Sequence, residues 1–255
     1  MSSDDDATIQ PAGLDPQQIR EQFVQMRRLL MVYEHALQTV LLKVDLLRDE
    51  FRLERDYNPI EHVSSRVKSP QSITDKARRK GVAVTTESLR ANILDIAGLR
   101  LICSFQNDIF QVRERLLTHG DLRLREERDY ISNPKPNGYQ SLHLLVEVPV
   151  YLAGGRQWVP VEIQLRTVAM DFWASLEHKI HYKYRGEVPP DLTSSLKLAA
   201  DMASTMDRTM ERLYEEVRSL QPPSEPTEAD PMLPLFRAIE SASMLEQFTR
   251  RDDDE

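Results

Sequence analysis

Two carboxylates sit in short polar settings beside apolar runs: Asp95 in NILDIAGLRLICSF and Glu162 in VPVEIQLRT. Around Glu162 the chain alternates, with Val161, Ile163 and Leu165 pointing one way and Glu162, Gln164 and Arg166 the other. One face is core; the other offers a carboxylate, an amide and a guanidinium in a row, although a solvated outer face gives the same pattern. Two carboxylates on separate elements can share one hard cation. Mg²⁺ takes oxygen ligands, usually one or two carboxylates plus the phosphates of a substrate. A third cluster, KPNGYQSLH, holds Lys135, Asn137, Gly138, Tyr139, Ser141 and His143. A glycine beside an aromatic in a loop suits a flat base lying on the ring, and a plain core tyrosine reads the same way. Arg66, Lys68, Lys76, Arg78, Arg79 and Lys80 form a basic island opposed only by Asp75. It is either a local polyanion site or a solvated helix face. His178 and His181 lie three apart with no third ligand evident, which favours packing or phosphate contact over zinc. No G-x-x-x-x-G-K-[ST], G-x-S-x-G or C-x-x-C is present.

The elements that must position these groups follow from periodicity. From Pro16 to Pro59 apolar residues recur at helical spacing (Ile19, Phe23, Met26, Leu29, Tyr33, Leu37, Val40, Val44, Leu47) with no glycine or proline between, giving one very long helix or two in line. A strand is expected over His62–Lys68, a short helix over Ile73–Lys80 stopped by Gly81, and a helical or loop segment over Leu89–Ile96. Strands follow at Leu99–Phe105 and Leu122–Ile131, separated by a helix over Ile109–Leu117. Leu142–Tyr151, Gly154-Gly155 and Gln157–Leu165 read as a hairpin. Helices are expected over Val168–Tyr184 and Leu192–Leu220, with Pro189-Pro190 between them. The fold class is α+β: a mixed β-sheet of about five strands flanked by helices, long ones at both ends. Residues 1–15 read as a disordered acidic tail, 16–220 as one domain, and 221–255 as a Pro- and acid-rich tail with one short helix over Leu233–Phe248.

A net charge of −8 argues against general nucleic-acid or membrane affinity and makes the basic island stand out. No apolar stretch approaches the ~20 residues of a membrane span. The polar start, MSSDDDATIQ, is not a signal peptide, and the single Cys103 sits in an apolar run as a small core residue, so a cytoplasmic setting is expected.

Four blocks in order, HVSSRVKSPQSITDKARRKG, DIAGLRLIC, ERDYISNPKPNGYQSLHLLVEVPV and VEIQLRTVAMDFWASLEHKIHYKYRG, resemble the synthetase domain of RelA/SpoT-type (p)ppGpp synthetases, above all the small RelQ-like type. The likeness runs from about Pro59 to Gly186. It implies a nucleotidyltransferase-like fold and transfer of the β,γ-pyrophosphate of ATP to the 3′-hydroxyl of GDP or GTP. The hydrolase and ribosome-binding regulatory parts of the family's long enzymes are not matched, so synthesis without hydrolysis is expected. By resemblance, Asp95 holds Mg²⁺ and Glu162 is a second metal ligand or general base. Arg66 and Arg100 sandwich the donor adenine, with Lys68, Lys76 and Arg79 on its phosphates. Tyr139 stacks on the acceptor guanine, with Lys135, Asn137, His143, Gln164 and Arg166 on the acceptor side, and Glu177 and His178 support the site.

RelQ-like relatives form tetramers that bind product or RNA in a central cleft through lysines on the first helix. Leu41 and Asp45 occupy those positions here, and His62 replaces a nearby aromatic. A homotetramer with little or no product activation is expected, and an RNA effector has no support from these residues. Two other readings compete: a transferase that moves a nucleotide instead, which the KPNGYQSLH block and paired arginines disfavour, and a non-catalytic alarmone or RNA sensor, which would not need both carboxylates.

Overall fold

The computed structural model describes residues 15–54, 57–183, 189–220 and 234. Expectations for residues 1–14 and for a helix over Leu233–Phe248 lie outside the described residues, position 234 apart. The chain forms two compact units, 1–212 and 213–255. Of the second, residues 213–220 are the last turns of a helix, exposed except for the half-buried Tyr214.

Apolar spacing without a breaker yields one continuous helix, α1 (Pro16–Glu54). Its core stripe is Leu29, Val32, Tyr33, Ala36, Leu37, Val40, Val44, Leu47 and Phe51. The expected stripe begins earlier, at Ile19 and Phe23, yet these are exposed, Phe23 by 62%. The reason is length: 39 residues make about 58 Å of helix, more than the sheet beneath can cover. β1 (Ile60–Val67) leads to α2 (Pro70–Arg79), which Ser69 caps by accepting from the Ser72 amide and Pro70 starts. Gly81, at φ +66°, takes the left-handed conformation that ends this helical stretch. α3 (Thr86–Asn92), β2 (Ala97–Cys103), α4 (Gln106–Leu117) and β3 (Arg123–Asp129) follow, then the long hairpin β4 (Leu142–Leu152) and β5 (Gly155–Thr167), α5 (Val168–Lys183) and α6 (Pro190–Leu220).

The sheet order is β1-β2-β5-β4-β3. Only β2 and β5 run parallel; the other pairs are antiparallel, so the sheet is mixed and five-stranded. The central strands alternate as their sequences require. Leu99, Leu101, Val146, Val148, Val161, Ile163 and Leu165 are buried with α1 and with Ile109, Val112 and Leu116 of α4. The Cys103 thiol lies in this core, its pKa pushed up by burial. Charge collects on the edge strands β1 and β3, where strand addition by another chain would otherwise be favoured.

α6 is fastened by polar contacts at its middle and by a small second core. Trp173, Ala174, Leu196 and Ala200 form that core, and the Trp173 indole donates to the Leu196 carbonyl at 2.9 Å. Thr167, at the end of β5, accepts from the Met170 amide at 3.1 Å and donates to Asp207 Oδ2 at 2.5 Å. Glu211 accepts from the Asn107 amide at the start of α4 at 2.9 Å.

Asp207 is only 8% exposed. Burial pushes its carboxyl up to about 6, against the Thr167 hydrogen bond, which acts downward. The folded carboxyl therefore holds a proton more tightly than the unfolded one, near 3.8. Its favourable contribution is complete below about 4 and is lost as pH rises through about 6. Asp207→Asn keeps an acceptor for Thr167 and removes the charge. We expect it to be more stable than the wild type at pH 8 by about 1–3 kcal/mol, with the gain shrinking as pH falls from 6 toward 4. Thermal denaturation across that range checks this; a loss of stability at pH 8 would mean that the ionised carboxylate is what holds α6.

Candidate active site

The face of the sheet opposite α1 carries the polar residues, and strand register sets their order. Glu162 pairs with Gly98 of β2 on one side and Leu145 of β4 on the other. One step along β5, Gln164 pairs with Arg100 and His143. On β1, Arg66 lies beside Gly98 and Ser64 beside Arg100. A Cβ at Gly98 would meet no atom within 4 Å, so the sheet floor is open between Arg66 and Glu162.

Asp95 sits two residues before β2, where two lysines from different elements converge on it. Lys68 donates to Asp95 Oδ2 at 2.9 Å and to its carbonyl at 2.7 Å, and Lys76 donates to Oδ2 at 2.5 Å. Burial alone would raise the Asp95 pKa; the lysine hydrogen bonds and charges outweigh it and hold the carboxyl below its ordinary value. Oδ1 is buried and has no hydrogen-bond partner. Glu162 behaves alike. Burial and the Asp95 charge push it up, while hydrogen bonds from His143 and Gln164 bring the net shift down. Both carboxylates are thus ionised at neutral pH.

Two clefts meet at this pair. One, of about 230 Å³, is lined by Ser64, Arg66, Lys68, Gly98, Arg100 and Gln164 together with Asp95 and Glu162. The other, of about 140 Å³, shares both carboxylates and adds Lys76, Lys80, Glu126, Arg128 and His143. Cations outnumber anions three to two in the larger cleft and match them three to three in the smaller; donors of this kind suit two polyphosphate ligands whose reacting ends meet between Asp95 and Glu162.

The loop after β3 joins the smaller cleft through the contact of Tyr139 with His143. Gly138 donates to the Lys135 carbonyl at 2.8 Å and the Lys135 amide to the Tyr139 carbonyl at 3.1 Å. Lys135 Nζ lies over the rings of Tyr130 and Tyr139, at 4.5 and 4.8 Å from their centroids. Asn137 accepts from the Tyr139 amide and donates to Glu177 on α5, both at 3.2 Å. Gly138 has φ +90°, and a Cβ there would stand 2.5 Å from Ala200 Cβ of α6. The loop's path therefore requires glycine on both counts.

The structure does not bring every expected residue in. Arg79 and His178 are exposed and line neither cleft. Lys135, Asn137, Tyr139, Arg166 and Glu177 also lie outside the two linings, Tyr139 and Arg166 reaching them through His143 and Gln164. Lys80 lines the smaller cleft in place of Arg79 and donates to the Asn92 carbonyl at 2.9 Å. Sequence reasoning missed Glu126 and Arg128, which form a paired salt bridge at 2.7 and 2.9 Å on the cleft wall. It also missed Asp171, whose Oδ1 takes Arg166 at 2.9 Å and Arg100 at 3.2 Å.

With this geometry in view, comparison with known proteins is decisive. Residues 65–187 match the family described as a region found in RelA / SpoT proteins. The chain is 50% identical over 188 residues to the GTP pyrophosphokinase YwaC of Bacillus subtilis, covering 74% of this chain and 90% of that protein. The chain belongs to the RelA/SpoT family. It is also 40% identical over 198 residues to the GTP pyrophosphokinase YjbM of Bacillus subtilis, covering 77% and 92%. Among solved structures, the small alarmone synthetase 1 of Bacillus subtilis bound to its product pppGpp superposes with a TM-score of 0.69 at 40% identity, covering 76% of this chain and 98% of that one. No helix among the described residues of this RelA/SpoT member is long and apolar enough to cross a membrane.

Gly138→Ala tests the loop's packing. Strain and overpacking against Ala200 should cost at least about 1–3 kcal/mol, read as a lowered midpoint in urea. An unchanged midpoint would mean that α6 yields freely at this contact.

Proposed function

We propose that this chain transfers the β,γ-pyrophosphate of ATP to the 3′-hydroxyl of GDP or GTP, yielding AMP and an alarmone. The observation that carries the reading is the meeting of two cation-lined clefts at Asp95 and Glu162. ATP fits the larger cleft, its adenine between Arg66 and Arg100 and its phosphates toward Lys68. The acceptor fits the smaller one, its guanine on Tyr139 and its phosphates toward Lys76, Lys80 and Arg128.

In the reaction the acceptor's 3′-oxygen attacks the β-phosphorus. The bond from that phosphorus to the oxygen bridging the α-phosphate breaks, and AMP leaves with the bridging oxygen. Glu162, ionised and held by two donors, takes the hydroxyl proton. Lys68 and Lys76 lie beside Asp95, where they can meet charge building on the phosphate oxygens. Positioning and charge neutralisation supply most of the acceleration in such transfers.

The residues present fit a divalent cation. Asp95 Oδ1 is a buried, unpartnered oxygen and Glu162 is a second anionic ligand nearby. Mg²⁺ is usually held by one or two carboxylates, with phosphate and water completing its shell. When bound, Mg²⁺ would offset the negative charge of the triphosphate.

With γ-labelled ATP and each of GMP, GDP and GTP, we expect label on a guanosine nucleotide and equimolar AMP. Glu162→Gln should lower the rate by about 10²–10⁴-fold, the range for a lost general base, and Asp95→Asn should abolish turnover. Pyrophosphate release in place of AMP would indicate nucleotidyl transfer. Intact ATP would indicate a binding module.

For assembly we propose a homotetramer. α1 exposes Ile19, Phe23, Val24, Leu42, Leu46 and Leu53, an apolar surface of the kind that self-association covers. Leu41 packs on the core and Asp45 faces Arg48 at 3.9 Å, so neither offers the cation that a product-binding cleft would need. Light scattering should give four times the 29.5 kDa chain mass; a monomer would end this proposal.

A further inference from the structure

Arg166 is the most enclosed cation of the site, its side chain 7% exposed. Its Nη2 reaches two acceptors, the Tyr139 hydroxyl at 2.9 Å and Gln164 Oε1 at 3.2 Å. Both paths then run to the same carboxylate. Gln164 Nε2 donates to Glu162 Oε2 at 3.0 Å. The Tyr139 hydroxyl lies 2.7 Å from His143 Nε2, and His143 Nδ1 lies 3.3 Å from Glu162 Oε1. Arg166, Tyr139, His143, Glu162 and Gln164 thus close a ring.

Hydrogen-bond arithmetic fixes the direction of four of the five links. A guanidinium only donates and a carboxylate only accepts. Gln164 must turn its oxygen to Arg166 and its amide hydrogens to Glu162. The Tyr139 oxygen takes the Arg166 hydrogen on one lone pair, and its own proton is free to go to an unprotonated His143 Nε2. His143 Nδ1 faces a carboxylate, which only accepts, so Nδ1 carries a proton and donates it to Glu162 Oε1. Asp171 holds the other arm of the guanidinium, Nη1, at 2.9 Å and so keeps Nη2 aimed at both acceptors. Packing of the Tyr139 ring on the Trp173–Ala200 core explains where the ring sits, but gives its hydroxyl no role.

We propose that the Tyr139 hydroxyl is a positioning group for Glu162: by fixing the His143 tautomer, it makes the residue that carries the acceptor base also hold the proton-accepting carboxylate in place. The inference rests on the reading of Glu162 as proton acceptor. It adds that acceptor binding and orientation of the base share one side chain.

Tyr139→Phe removes the hydroxyl and keeps the ring. In steady-state assays the acceptor KM should stay within about twofold, while kcat falls about 10–100-fold, the usual range for losing a group that orients a liganding residue. Nitrogen-15 spectra of the histidine side chains, recorded on the full chain without substrate, give a second readout. His143→Asn identifies the His143 signal among the six histidines. The wild type should show the neutral Nδ1-protonated form, and Tyr139→Phe should lose it. An unchanged kcat, an acceptor KM that rises as far as in Tyr139→Ala, or a wild-type His143 protonated on Nε2 would overturn the proposal. A wild type that makes no alarmone yet shows the expected tautomer would sink the functional reading and leave the ring standing, so the two failures are distinguishable.

Discussion

The parallel pairing of β2 with β5 is the constraint on which the rest depends. It sets Gly98 beside Glu162 and Arg100 beside Gln164. Because side chains alternate along a strand, a one-residue slip would carry Glu162, Gln164 and Arg166 into the α1 core and expose Val161, Ile163 and Leu165. The hydrophobic face of β5 therefore fixes the register that builds the polar face. Parallel strands also need a long connection, and here it is α4, β3 and β4. That excursion delivers His143 to the far side of Glu162 and the Tyr139 loop to the end of the sheet. One hydrophobic register thus gathers groups from more than sixty residues of chain around a single carboxylate.

How much of this was legible from sequence depended on whether a residue's place followed from local period. The long first helix, the hairpin over β4 and β5 and the two-faced character of β5 follow from apolar spacing, and all are present. Asp95 and Glu162 were legible as carboxylates, one just before a strand and one on a strand face. α2 carried a signal that was passed over. Ile73, Lys76, Ala77 and Lys80 recur at three- and four-residue spacing, so the buried stripe of Ile73 and Ala77 takes Lys76 and Lys80 with it and leaves Arg79 outside. Asp171 carried no such signal. Its value lies in meeting Arg100 and Arg166 from two strands, a tertiary coincidence that no window of sequence contains. Glu126 and Arg128 looked like ordinary edge-strand charges, and only the sheet order turns them toward the cleft. The breadth of the clefts was invisible because it depends on what Gly98 lacks.

Electrostatics joins the register to the chemistry. The chain is acidic overall, yet Arg66, Lys68, Lys76, Lys80, Arg100, Arg128 and Arg166 line or brace two small clefts. Such a concentration repels itself: the Arg166 and Arg66 charges, added to burial, lower the pKa of Arg100, and Asp171 works against them. Asp95, Glu162, Asp171 and Glu126 are the counter-charges that let the cations be held in place before any ligand arrives. In the same exchange the cations and hydrogen-bond donors keep Asp95 and Glu162 ionised despite burial. A polyphosphate entering this site meets donors already oriented, so less reorganisation is left for the moment of transfer. The two halves of the site are therefore mutually dependent. Removing a carboxylate would free a lysine or arginine to collapse onto the substrate or onto solvent, and removing a cation would raise the proton affinity of the carboxylate it faces. A substitution at either kind of residue acts through the other, so single changes here should couple strongly rather than add.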